Sequence, residues 1–366
     1  MKLKGGNMRL LQGSLVALFV LGCGGGVSAD PCAGGPTYPD EAFATNASGE
    51  LAMADQLLAM NALVKDVNAR PTAAQLQSMY EAGTPSLSSI AAPAVTASLP
   101  ALFVSIESSA AGTWTPAEPP PATGGRLGGV LFSARGQDLQ EAIEKGLLAG
   151  AHYHEALRLM EGEVTPATVD RILALYGAWP SFPMDTKAAV NPDRFSAGYA
   201  KRRTNPAAET PGLYLTIKQA FIDARAAAAG GATCAAKRDA ALEVIRSGWE
   251  RAMVGTTVYY LNSAAGKLEK SNPTDAERAS GLHAYNEAVG FLKGLRALPA
   301  SSRRGSDAQL DEVLATLLAP SGAEAESYKF LTDGVTNLPR LAQAGTQLQA
   351  AWAFTADEVA SFKVNY

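Results

Sequence analysis

Apolar residues along this chain recur mostly at intervals of three and four, the spacing that gathers them on one face of a helix. The stretch "GELAMADQLLAMNALVKDVNA" (49–69) carries such a stripe. In "RPTAAQLQSMYEAG", the next segment, Thr72 stands as an N-cap and Gly83 as a stop. Residues 86–110 are apolar but cut by Pro93 and Pro100, which predicts short helical pieces. "GTWTPAEPPPATGGRLGG" (112–129) has no period and reads as an irregular surface loop. A long helix is expected from about Gln137 to Glu161, after which Thr165 and Pro166 make an N-cap and first-turn pair for "ATVDRILALYGAW". Residues 179–211 hold five prolines and read as a long irregular excursion of the kind that often carries function. Helices flank "GGATC" on both sides, and others are expected at about 275–297, 307–319, 323–349 and 355–364. Alternating β-branched patterns are rare and no segment reads as a strand, so the expected fold class is all-α.

Part of this helical pattern occurs twice. "YHEALRLMEG" (153–162) aligns with "YNEAVGFLKG" (285–294), and "ATVDRILALYGAWPS" (167–181) aligns with "AQLDEVLATLLAPSG" (308–322). The expected architecture is therefore two pseudo-repeated helical bundles, one over 49–232 including the excursion and one over 233–366, after a tether at 30–48. Packing about a pseudo-twofold axis would bring the two motif helices together.

The ends and the charge narrow the setting. Lys2, Lys4 and Arg9 precede the apolar "LLQGSLVALFVLG", the pattern of an export signal over residues 1–29 and too short a run for a membrane span. Cleavage before Cys23 would make that residue a lipidated anchor, and cleavage after "VSA" would release a soluble chain. Either outcome sends the protein to a bacterial periplasm or membrane surface. Either also leaves Cys32 and Cys234 as an even pair in an oxidising compartment, where a disulfide is the default and two free thiols the alternative. Over 366 residues the net charge is −4 and basic residues are scattered, which argues against nucleic acid as a partner.

Candidate chemistry concentrates in the repeated element, which holds all three histidines of the chain: His152, His154 and His283. At about 100° per residue, Tyr153 and His154 join Leu139, Ile143 and Leu147 on an apolar face, while His152 and Glu155 share another. In the second copy His283 and Glu287 stand one turn apart, on a face where Gly290 and Gly294 would admit a close neighbouring helix. Paired His and Glu from adjoining helices suit a divalent or iron ion. His152, Glu155, His283 and Glu287 are then candidate ligands, with His154 a fifth or a supporting residue. The competing assignment makes His154 a satisfied core residue and the two His/Glu pairs hydrogen bonds within their helices. No GxSxG, HExxH or P-loop motif appears, so an enzyme is the least favoured class. "YAKRRTN" (199–205) is a compact basic cluster, read as a solvated loop with contact to an anionic ligand or lipid surface as the alternative. Trp179 and Trp249 are expected as anchors between helices.

The residues Gly150, His152 and Glu155 of "GAHYHE" fit the G-x-H-x-x-E motif of imelysin-like proteins, which this short stretch resembles. That resemblance implies an exported, duplicated all-α fold associated with iron handling, in a family once classed as peptidases. Over most of the chain, "LLAMNALVKDVNARPTAAQLQSMYEAG", "IEKGLLAGAHYHEAL" and "GLHAYNEAVGFLKGL" resemble the blocks of an exported bacterial lipoprotein family described only as a domain of unknown function, family 4856. It implies a helical fold and assigns no activity. The expected function is a non-enzymatic envelope protein that binds a metal ion or metal-containing ligand between the repeats. The alternative is an envelope scaffold without metal, whose small-ligand or protein partner the sequence does not name.

Overall fold

Eight of the seventeen α-helices among the described residues begin at a side chain placed to start them. Thr165, Thr274, Ser306 and Thr355 each accept a hydrogen bond from the backbone N–H three residues on, and the side chain there accepts one in turn from the cap's own N–H. Such reciprocal caps satisfy donors that the helix itself leaves open. The computed structural model describes residues 30, 32–208 and 211–366. The expected export signal and Cys23 lie outside these residues.

The chain opens with α1 (Phe43–Asn46), α2 (Ser48–Lys65), α3 (Ala73–Glu81), α4 (Leu87–Ile90) and α5 (Pro93–Ser109). An antiparallel hairpin of β1 (Gly125–Leu127) and β2 (Val130–Phe132) comes next, with Arg126 opposite Leu131. After it are α6 (Leu139–Leu147), a π-helical segment (Leu148–Tyr153), α7 (His154–Glu161), α8 (Pro166–Tyr176) and α9 (Phe195–Arg202). The largest helices are α10 (Leu213–Ala229), α11 (Ala235–Leu268) and α12 (Asp275–Arg296). The chain ends with α13 (Asp307–Thr316), α14 (Lys329–Thr332), α15 (Gly334–Asn337), α16 (Pro339–Ala351) and α17 (Ala356–Phe362). The long α11 packs along α10 and α12, and α12 lies in turn on α6. The fold is all-α with one small hairpin. Among the described residues no helix is long and apolar enough to cross a membrane.

Several expectations need correction. Residues 93–109 form one helix, because Pro93 sits at its first turn and the interior Pro100 faces outward, where its missing donor is tolerated. The expected surface loop at 112–129 contains β1 and the fully buried Trp114, whose indole stacks near Phe132 and donates to the carbonyl of Ala134. The proline-rich 179–211 excursion contains α9 and buries Phe182, Asp193, Tyr199 and Arg203. The helix expected at 323–349 is broken into α14, α15 and α16, the last entered at Pro339.

The aligned helices differ in surroundings. Asp170, on α8, is fully buried and accepts from the Tyr38 hydroxyl (2.5 Å), Asn46 Nδ2 (2.7 Å) and Arg225 Nε (2.8 Å). Its counterpart Asp311 pairs with Arg296 near the surface, at 2.8 Å. Cys32 and Cys234 are joined by a disulfide, with Cα atoms 5.3 Å apart and a sequence separation of 202.

Candidate metal centre

The most concentrated charge in the interior forms where α6 meets α12. Two glycines of α12 allow that approach. A Cβ on Gly290 would stand 2.9 Å from the Glu141 carbonyl, and one on Gly294 would stand 2.7 Å from Ala149 Cβ. Asp138 caps α6, its Oδ1 accepting from the N–H groups of Gln140 (3.0 Å) and Glu141 (3.1 Å). Its Oδ2 lies 2.8 Å from His283 Nδ1 on α12. The other imidazole nitrogen, Nε2, stands 3.7 Å from Glu141 Oε1 and 3.8 Å from Glu287 Oε2. Lys145, one turn beyond Glu141, places Nζ 2.8 Å from Glu141, 2.6 Å from Glu144 and 3.4 Å from Glu287. Each of Asp138, Glu141 and Glu287 therefore holds a framework partner with one oxygen and turns the other toward His283.

Four carboxylates here face one lysine and one histidine, and that imbalance governs the titration of the cluster. Burial pushes Glu141 up to about 8, against the lowering effect of Lys145. Burial lowers His283, but the hydrogen bond and charge of Asp138, with Glu141 and Glu287 beyond, outweigh it and raise it to about 9. Asp138, Glu141 and His283 each offer a ligand atom, and these atoms lie within 4.8 Å of one another. Ligand atoms about one tetrahedral ion are roughly 3.3–3.6 Å apart, given bonds of about 2.0–2.2 Å. The three would need to draw in by about an ångström. Asp138 and Glu141 are buried, while the His283 side chain is 32% exposed and gives solvent a way in.

Residues 175–323 match the model of a family described as Domain of unknown function (DUF4856). No curated protein and no solved structure matches the chain. The DUF4856 segment runs from the end of α8 to beyond α13 and contributes His283 and Glu287 to the cluster. Asp138, Glu141 and Lys145 lie before it, as does the "GAHYHE" stretch.

That stretch behaves differently from its counterpart in the DUF4856 segment. Residues Leu148–Tyr153 are π-helical, which inserts one extra residue into the turn and rotates the downstream residues by about 100°. His152 is consequently turned into the core beside Tyr153, both at 0% exposure, with its ring edge against Phe195 at 5.2 Å between centroids. Burial lowers its pKa to about 4, with the backbone of Leu175 opposing. His154, expected in the core, is half-buried, and its Nδ1 lies 2.8 Å from the Ile90 carbonyl. Glu155 does not meet His152. It is clasped by Arg158 (2.7 and 2.5 Å), with Arg171 3.7 Å away, and Arg171 also holds Glu50 at 2.7 Å. Two acids and two arginines balance there, so Glu155 has no surplus charge to offer an ion.

Among the described residues, no hydrogen bond or ion pair joins His152 or Glu155 to His283 or Glu287. Of the five expected ligands the cluster keeps His283 and Glu287. It adds Asp138 and Glu141, whose D-x-x-E spacing marks a helix start in the sequence and gave no hint of a metal. Their partner lies 145 residues away, a separation no local pattern records.

Proposed function

We propose that this chain is an exported cell-envelope protein that binds a divalent metal ion through Asp138, Glu141 and His283, with Glu287 at the edge of the site, and catalyses no reaction. The convergence of three ligand atoms within 4.8 Å of one another carries the reading. One imidazole and two carboxylates suit zinc, iron(II) or manganese better than calcium, and three protein ligands leave room for water. The capping role of Asp138 through Oδ1 fixes its second oxygen, Oδ2, beside His283 before any ion arrives, as outer hydrogen bonds do at metal sites. Export rests on the basic and apolar pattern of residues 2–22 and agrees with a disulfide in the folded chain.

The test is calorimetric titration of zinc and manganese into chelator-treated protein, beside His283→Ala, Glu141→Gln and His152→Ala. Binding should be lost in the first, weakened at least tenfold in the second and retained in the third. Absence of binding at micromolar metal in the unmodified protein sinks the proposal. A second reading is favoured by Lys145, whose ammonium already sits among Glu141, Glu144 and Glu287 as an internal cation. On that reading the cluster fastens α6 to α12 in an envelope scaffold, and His283→Ala lowers thermal stability equally with and without metal.

A further inference from the structure

Between α9, α11 and α12, with Glu287 in its wall, lies a polar cavity of about 150 Å³. The "YAKRRTN" cluster does not form a solvated loop. It ends α9 and turns Arg203 and Thr204 inward, and Arg202 and Arg203 both line this cavity. Lys267 of α11 lines it as well. None of these three cations forms an ion pair with a carboxylate among the described residues. Arg202 lies over the Tyr199 ring at 5.6 Å and Arg203 over the Tyr259 ring at 4.4 Å, while Lys267 Nζ reaches only the Ser280 carbonyl at 3.4 Å. Glu287 is the one carboxylate in the wall, and Lys145 stands 3.4 Å behind it.

Two enclosed polar atoms in the lining lack a protein partner. Thr256 and Arg203 are 2% and 3% exposed, and neither Thr256 Oγ1 nor Arg203 Nε makes a hydrogen bond. Arg203 does use its two terminal nitrogens, on the Phe362 carbonyl and the Asn365 side chain, which leaves the Nε–H and a second N–H on each terminal nitrogen. Buried polar groups are nearly always paired, and two unpaired ones on one small cavity point to a ligand. Burial lowers Arg203 to about 10, and it lowers Lys267 despite the opposing charge of Glu287.

We propose that this cavity binds a phosphate group, either free inorganic phosphate or the terminal group of a small phosphomonoester. Cavities of about 150 Å³ admit a molecule the size of benzene, so the volume suits a group of about five or six non-hydrogen atoms. Donors reach it from two helices: guanidinium groups from the end of α9 and, from α11, the Lys267 ammonium and the hydroxyls of Thr256, Tyr259 and Ser263. A tetrahedral oxyanion with four acceptor oxygens meets donors from both, whereas a planar carboxylate meets fewer.

Calorimetry with inorganic phosphate and with glycerol 3-phosphate, in the presence of EDTA, tests this apart from the metal site. Saturable binding of either is expected, and the tighter of the two identifies the source. Lys267→Gln and Thr256→Val should each weaken it by about tenfold or more, and Lys267→Arg should restore most of it. These variants spare Arg203, whose loss would also free the C-terminal residues. Absence of binding by both ligands overturns the proposal. So does equal affinity in both weakening variants, or acetate or succinate binding as tightly as phosphate.

Discussion

The His152 imidazole is enclosed among apolar neighbours and holds its pKa near 4, whereas in an unfolded chain it titrates near 6.5. Between these values the unfolded chain binds a proton that the folded chain refuses, so stability falls as the pH falls. The single group costs about 2 kcal/mol between pH 7 and pH 5, and the full penalty is reached below about pH 4. His152→Leu should therefore flatten the acid limb. Urea unfolding at both pH values should show a loss smaller than that of the unmodified protein by about 2 kcal/mol, and equal losses would refute this account of the buried ring. His283 acts in the opposite sense. Its pKa is raised to about 9, so its contribution to stability is complete below about 6.5 and disappears as the pH rises through 9. A metal ion needs that nitrogen, and Glu141, without their protons. Zinc affinity should accordingly climb from pH 6 to pH 9, and a flat profile over that range would count against His283 and Glu141 as ligands.

At the level of elements, the cluster exists because α12 comes close enough to α6 for His283 to reach the Asp138 cap. Gly290 is the contact that sets this distance, since a Cβ there meets a backbone carbonyl at 2.9 Å, and backbone does not move aside as a flexible side chain would. Gly290→Ala should push the helices apart and cost about 1–3 kcal/mol. Gly146→Ala on α6, where an added Cβ meets nothing within 4 Å, should leave stability unchanged or slightly improved. Thermal melts of the two variants decide between close helix packing and mere helix propensity. The apolar spacing made α2, α10, α11, α12 and α13 legible in the sequence, the caps Thr72 and Thr165 marked the starts of α3 and α8, and the paired glycines of α12 marked a close approach. His283 and Glu287 were legible for the same reason, since α12 is regular and its 3.6-residue period holds throughout. His152 and Glu155 were misplaced because the π-helical turn changes the period within the motif, and residue type alone does not announce that change. Asp138 and Glu141 stayed hidden since their sequence signature is that of a helix start, and only tertiary packing supplies the imidazole. The excursion at 179–211 hid α9 because its prolines dominate the local pattern.

Across the whole molecule, the first described residues are held to the body by two devices of different kinds. Tyr38 and Asn46 donate to the buried carboxylate of Asp170, which Arg225 also neutralises, and Cys32 is bonded to Cys234 just before α11 begins. Tyr38 and Phe43 are buried in the main core, so this segment cannot leave without opening that core. A bridge across 202 residues closes a very long loop in the unfolded chain, and the chain-entropy relation assigns such a loop about 5 kcal/mol. That full value appears only if the N-terminal segment unfolds together with the rest. Were it to detach alone, reduction would leave the global transition nearly unchanged. Its burial and its hydrogen bonds to α8 argue for unfolding as one unit. Cys32→Ser/Cys234→Ser should therefore lower the urea midpoint of the whole transition by an amount worth several kcal/mol. Limited proteolysis of the same variant under native conditions should show no early cleavage between residues 32 and 47. Early cleavage there, with a midpoint shifted by less than about 1 kcal/mol, would mean that the bridge pins only a detachable tail and that the Asp170 network is too weak to couple it to the core.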